Sequence, residues 1–243
     1  MKNSLILFSG GLDSYLALLL AKEVSNPVAV FFDYGQNMLK EELNATNKLC
    51  GIHNVPVIVH KLDKQSLGID FGVASSENNG DNSFITNGYV PNRNLLFATI
   101  LVNIAYGKGI TDLYFGFQSI NDVDTSGVVV SGFERSVDLI DLKKFFSYYV
   151  IDPAPDQEPE FMQRMKDVID SSSKTKFNLH TPLLYMSKAD IQEKLNELGM
   201  LGVAIEHTRS CYATTQKEFY WGWGCDNCTT CKMRKLGYLK ATS

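Results

Sequence analysis

Six consecutive residues near the N-terminus, Ser9-Gly10-Gly11-Leu12-Asp13-Ser14, join two glycines to two hydroxyls and one carboxylate, directly behind the apolar run Leu5-Ile6-Leu7-Phe8. Glycines let a backbone approach a ligand closely, and a helix that starts just after such a turn presents unpaired N–H groups and the positive end of its dipole. That combination suits phosphate. The loop lacks the lysine of a Walker sequence and the spacing of the dinucleotide fingerprint. The hydroxyls of Ser9 and Ser14 can donate to phosphate oxygens. A carboxylate beside a polyphosphate needs a cation between them, so Asp13 is expected to help hold Mg²⁺ or to fix the loop.

A second set of reactive side chains lies at the other end of the chain. Cys225, Cys228 and Cys231 form a C-x-x-C-x-x-C run, with Cys211 upstream. Four soft ligands at such spacing suit a closed tetrahedral Zn²⁺ site, and an iron–sulfur cluster is the rival chemistry. Lys232, Arg234 and Lys235 follow at once and can offset the negative charge of a four-thiolate site. Cys50, on the apolar side of an amphipathic stretch, is expected to be a buried small hydrophobe.

The elements that must position these groups alternate in type. Leu5–Phe8, Val28–Phe32, Val55–Val59 and Leu113–Phe117 are expected strands, and Tyr15–Glu23, Met38–Cys50, Asn94–Tyr106 and Phe161–Ile169 are expected helices. Ser187-Lys188-Ala189-Asp190 has the side chains of a helix start, and that helix should end near Gly199. Strand–helix alternation implies βαβ units and a parallel sheet with right-handed crossovers. The expected organisation is a nucleotide-binding α/β core over 1–132 with a long loop at 63–88, an insertion at 133–159 carrying Phe145, Phe146, Tyr148 and Tyr149, and a C-terminal helical part with the cysteine knuckle over 160–243.

Composition bounds the function. The 243 residues are 44% hydrophobic and 21% charged, the proportions of a domain with a sizeable core. A net charge of -4 from 23 basic and 27 acidic residues argues against a surface built to neutralise nucleic acid. The N-terminal apolar run is too short to span a bilayer and no cleaved leader is evident, so a cytoplasmic protein with a small-molecule or protein partner is expected.

The chain resembles the 7-cyano-7-deazaguanine synthase family of the ATP pyrophosphatase (PP-loop) superfamily. The resemblance lies in Phe8 to Ser14 (FSGGLDS), Phe32 to Gln36 (FDYGQ), Val90 to Asn94 (VPNRN), His180 to Leu183 continuing to Lys188-Ala189-Asp190, Cys211-Tyr212, and the final cysteine run with Arg234 to Tyr238. It implies a doubly wound parallel sheet, adenine-nucleotide α-hydrolase-like, with a C-terminal zinc knuckle, commonly in a homodimer. The implied activity is an ATP-dependent ligase that adenylates the carboxylate of a 7-carboxy-7-deazaguanine-type substrate and, with ammonia, forms the nitrile through an amide. The resemblance also admits a paralogue of antiphage type that activates a deazaguanine or protein carboxylate for amide formation, and a reading from another class is a non-catalytic nucleotide-binding zinc protein.

The resemblance carries roles onto particular residues. Phe8 through Ser14, with Asp33, Tyr34 and Gln36 beyond the second strand, would bind ATP. Asp13, Arg93 and Lys188 would be catalytic, the two cations balancing charge as pyrophosphate leaves. Asn94, Asp156 and Glu158 would bind substrate, and Cys211, Cys225, Cys228 and Cys231 would hold Zn²⁺. His180 is as well suited to a structural hydrogen bond as to acid–base work. One departure from the family pattern falls at Gln157-Glu158, where the family has Cys-Arg; exchanging a cation for an anion there points to an altered substrate. The insertion at 133–159 could cover the pocket or dock a protein partner.

Overall fold

Alternation along the first strand sets the two faces of the molecule. In β1 (Lys2–Leu7) Ile6 packs to one side and Leu5 to the other, and both are fully buried. Ala29 and Val30 divide in the same way in β2 (Ser25–Asp33), as do Tyr114 and Leu113 in β4 (Asp112–Tyr114). A strand buried on both faces reads as a continuous apolar run, which is how these segments look in the sequence.

The computed structural model describes residues 1–63, 92–119, 156 and 158–243. Their five-stranded sheet has the order β3-β2-β1-β4-β5, with every pairing parallel. Helices α1 (Leu12–Val24) and α2 (Leu39–Ile52) carry the chain outward through β2 to β3 (Val57–Lys61) on one face. Helices α3 (Arg93–Lys108) and α4 (Pro159–Ser172) cover the other face on the way to β4 and β5 (Asn178–His180). This is the doubly wound arrangement, and the order reverses between β1 and β4. Helices α5 (Lys188–Glu197) and α6 (Leu201–His207) then return to the α1 face. A small hairpin, β6 (Lys217–Phe219) with β7 (Gly222–Gly224), precedes α7 (Thr229–Ala241).

Local chemistry explains the joints. Helix α1 runs directly into β2, where Ser25 Oγ donates to the Ala21 carbonyl at 2.7 Å and lies 2.7 Å from Ser4 Oγ. Helix α5 starts with a capping box: Ser187 Oγ accepts from the Asp190 N–H at 3.1 Å and Asp190 Oδ2 accepts from the Ser187 N–H at 2.7 Å. Gly199, in the left-handed region at φ +69°, follows its end as expected.

The bounds of all four expected strands shift: β1 and β2 each start three residues earlier, and the shifts of β3 and β4 have local causes. β3 starts at Val57 because the chain is still turning at Val55, whose N–H bonds back to the Cys50 carbonyl after Asn54 adopts φ +53°. β4 stops at Tyr114 because Gly116 passes under α1, where a Cβ would stand 2.9 Å from the Ser14 nitrogen. The C-terminal part expected to be helical also supplies edge strand β5 and the β6–β7 hairpin, segments of three residues too short to show a period. The loop at 63–88 lies almost wholly outside the described residues, as do Val90, Pro91 and most of the 133–159 insertion with its four aromatics.

Candidate active site

A cleft opens beyond the carboxyl ends of β1 and β4, where open α/β sheets gather ligands. Its floor is the turn from β1 into α1. Gly10 makes that turn at φ +73°, and a Cβ there would lie 2.8 Å from the Glu42 carbonyl oxygen, so the loop packs tightly on the first turn of α2. Gly11 is the N-cap of α1 and has no side chain to satisfy the helix's first N–H groups. Ser14 Oγ donates to the Gly11 carbonyl at 3.0 Å and lies 3.3 Å from Ser9 Oγ.

The capping box of α5 delivers Lys188 to this floor. Its Nζ lies 2.7 Å from both oxygens of Asp13, in the first turn of α1. Both side chains are largely shielded, 15% and 31% exposed, so water screens the pair weakly. Lysine has three N–H donors, and Asp13 takes two.

Arg93 comes from the start of α3. Burial works against its charge, yet Tyr212, Tyr34 and Asp156 around it hold its pKa above the ordinary value, and Tyr212 and Tyr34 hydrogen-bond it. Burial in turn pushes the Tyr34 phenol up. Gln36 braces Tyr34: its Oε1 accepts from the Tyr34 N–H at 3.1 Å, and its Nε2 donates to the Phe32 carbonyl and to Glu42 Oε2 at 3.1 and 3.0 Å. Phe32 stacks on Phe97 at 4.7 Å and gives the cleft an aromatic wall.

The third wall was not expected. Residues Arg209 and Ser210 form a strap across the loop. The Arg209 N–H donates to the Gly10 carbonyl at 2.9 Å, and Ser210 Oγ accepts from the Leu12 N–H at 3.2 Å. The Arg209 guanidinium stands 4.3 Å over the ring of Trp223. Below it, buried Arg234 donates to the carbonyls of Trp221, Ala204 and Thr208 and to Thr208 Oγ1, joining the hairpin, the end of α6 and α7. Burial lowers its pKa to about 10.

The strap leads straight into the cysteine cluster. The Sγ atoms of Cys211, Cys225, Cys228 and Cys231 all lie within 4.8 Å of one another, with Cys211–Cys228 and Cys225–Cys231 both at 3.9 Å. Tetrahedral Zn–S bonds of about 2.3 Å put sulfurs roughly 3.8 Å apart, so the cluster fits Zn²⁺. The N–H groups of Ala213 and Cys228 donate to Cys211 and Cys225 sulfurs at 3.4 and 3.3 Å, the outer support expected around thiolates. Four sulfurs this close cannot all ionise unaided; hydrogen bonds with Cys211 and burial drive the Cys228 and Cys231 thiols up. A divalent cation reverses that preference.

Of the residues expected at the site, Phe8, Ser9, Gly11, Leu12, Asp13, Ser14, Tyr34, Gln36, Arg93, Asn94 and Lys188 line the cleft. Gly10 shapes the turn beneath it. Three expected carboxylates do not line the cleft. Asp33 Oδ1 accepts from the Gly35 N–H at 3.1 Å and holds the turn before Gln36. Asp156 is buried against the start of α3, where Oδ2 accepts from the Asn94 N–H at 3.4 Å and satisfies a helix-end donor. Glu158 is the N-cap residue of α4, makes no side-chain capping bond there, and does not line the cleft. His180 lies 2.9 Å from Asp112 Oδ1 and stacks on Tyr114 at 4.4 Å, outside the cleft, which fits the structural alternative.

Residues 3–128 and 146–242 match the family model of queuosine biosynthesis protein QueC, nearly the whole chain. The chain belongs to the QueC family. Relatives named 7-cyano-7-deazaguanine synthase include one from Helicobacter pylori strain J99, 27% identical over 95% of this chain and 93% of its own length. One from Burkholderia mallei strain SAVP1 is 30% identical over 97% of this chain and 91% of its own. Among solved structures, a predicted subunit of tRNA methyltransferase from Methanocaldococcus jannaschii aligns with a TM-score of 0.42 and 17% identity over 82% of this chain and 89% of that one. No described helix is long and apolar enough to cross a membrane.

Glu42 is a cleft residue of this QueC-family chain that the sequence did not single out. Burial raises its pKa to about 7, against opposing contributions from the Gln36 amide and Arg93. A carboxyl whose folded pKa lies above its unfolded one favours folding below the unfolded value, and that advantage disappears as pH rises through the folded one. Glu42→Gln should therefore come close to the unmodified chain in stability at pH 4 to 5 and exceed it by about 3 kcal/mol at pH 8. Urea unfolding at the two pH values checks this; a difference independent of pH would contradict it.

Proposed function

We propose that this chain is an ATP-dependent ligase that converts a 7-carboxy-7-deazaguanine-type acid and ammonia to 7-cyano-7-deazaguanine. The observation that carries the reading is the Asp13–Lys188 pair set over a glycine loop at the head of α1, in a chain of this family. A carboxylate oxygen of the substrate attacks the α-phosphorus of ATP and pyrophosphate leaves. Ammonia adds to the acyl carbon, AMP departs with the electron pair of the acyl C–O bond, and the amide remains. A second adenylation, now on the amide oxygen, and loss of two N–H protons with AMP give the nitrile.

The chain's residues have separate parts in this scheme. The loop N–H groups and Ser9 receive phosphate oxygens, and the third Nζ donor of Lys188 faces charge as it develops on the departing pyrophosphate. Arg93, held by the two tyrosines, fixes an anionic group of ligand or substrate, and the Phe32–Phe97 wall offers a flat apolar surface to a purine-like ring. Mg²⁺ supplies countercharge to the nucleotide phosphates when bound. Zn²⁺, held by the four cysteines, is structural. Association as a homodimer fits the same family reading.

Two measurements test the reading. Pyrophosphate release should depend on the deazaguanine acid, and mass spectrometry should find the nitrile when ammonia is present. Accumulation of the amide alone would favour the amide-forming paralogue, and absence of turnover with every acid would favour a nucleotide-binding protein.

A further inference from the structure

The loop reading assigns phosphate contacts to Ser9 and Ser14, yet the Ser14 hydroxyl proton is already given to the Gly11 carbonyl at 3.0 Å. Ser210 is in the opposite position. Its Oγ accepts from the Leu12 N–H at 3.2 Å, lines the cleft, and has no acceptor for its own proton among the described residues. A hydroxyl that accepts on one side can donate on the other. Accepting from the first N–H of α1 polarises the O–H outward, and the bond it accepts fixes where the oxygen stands.

The strap that carries Ser210 is rigidly placed. The Arg209 N–H is tied to the Gly10 carbonyl, and a Cβ on Gly11 would meet the Arg209 carbonyl oxygen and Ser9 Oγ, both at 3.3 Å. On its far side the next residue is Cys211, a member of the sulfur cluster. Loop and strap thus face each other at van der Waals distance, with the Ser210 hydroxyl on the seam.

We propose that Ser210 is a phosphate-binding residue of the nucleotide site: it passes the donor capacity of the Leu12 N–H on to an oxygen of the bound polyphosphate. This rests on the reading of the cleft as an ATP site. The chemistry recognised is an anionic phosphoryl oxygen, with no demand on the base or the acid substrate.

The test uses the full-length, zinc-loaded chain and calorimetric titration with ATP and, separately, adenosine. Ser210→Ala should weaken ATP binding about tenfold or more, the usual worth of a hydrogen bond to a charged group, and leave adenosine binding unchanged. Ser210→Thr, which keeps the hydroxyl, should restore ATP affinity to within about twofold. ATP affinity unchanged in Ser210→Ala overturns the proposal. So does an equal loss for ATP and adenosine, or a failure of threonine to rescue, since either marks a capping role for the fold alone. If the unmodified chain binds no ATP, the ATP-site reading itself falls and takes this proposal with it.

Discussion

Lys188→Met should leave a folded chain whose acid-dependent pyrophosphate release is reduced about 10²–10³-fold, the usual cost of removing one donor aimed at developing charge. The reason is geometric. Lys188 places Nζ 2.7 Å from both oxygens of Asp13, which anchors the cation at the head of α1 and offsets the Asp13 charge there. Asp13→Asn removes the anchor instead of the cation, so the lysine keeps its charge and loses its aim. Residues that act as a unit are not additive, and the double variant should be little worse than Lys188→Met alone. Single-turnover rates with circular dichroism of each variant decide the matter. Lys188→Met at near-normal rate would remove the pair from the chemistry.

Loss of the cysteine-held metal should produce the largest change in stability. The hairpin and the start of α7 share a small cluster of their own, Trp221, Cys211 and Cys231, with Phe219 stacked on Trp221 at 5.0 Å. That is little apolar area for a segment of this length, and a metal held by the four cysteines would add to its stability directly. Cys228→Ser, or treatment with a strong chelator, should release about one Zn²⁺ per chain and lower Tm by on the order of 10 °C, given 2–4 °C per kcal/mol for a chain of this size. Amide hydrogen exchange should rise first in 211–231, while β1, β2 and α1 keep their protection. A chelated chain with unchanged Tm and exchange would refute a metal-dependent knuckle. A brown, iron-containing chain would replace zinc with a cluster.

What the sequence made legible was local. The glycine loop is six contiguous residues, the α5 capping box is four, and the cysteine run is seven; each carries its chemistry in its spacing. The strand–helix alternation of the first half was readable because strands buried on both faces are unbroken apolar runs. Asp33 and Asp156 show the limit. A carboxylate that satisfies a backbone N–H or a helix end looks the same in sequence as one that meets a ligand, and only placement separates them. Glu42 and Ser210 were hidden for the converse reason: neither side chain belongs to a chemical motif itself, although Ser210 directly precedes Cys211-Tyr212, and both reach the cleft through tertiary packing.

The strap also bears on the order in which the chain becomes competent. Leu12 and Ser210 are 198 positions apart, and Asp13 and Lys188 are 175 apart. The glycine loop, its helix and β2 can come together from neighbouring segments, whereas the two contacts that complete the cleft must each close a very long loop. During synthesis the glycine loop therefore emerges long before Lys188 and the strap, so a nascent chain that has not reached them holds the loop without its two long-range partners. Completion of the cleft waits on Lys188 and on the strap that directly precedes Cys211 of the four-cysteine cluster.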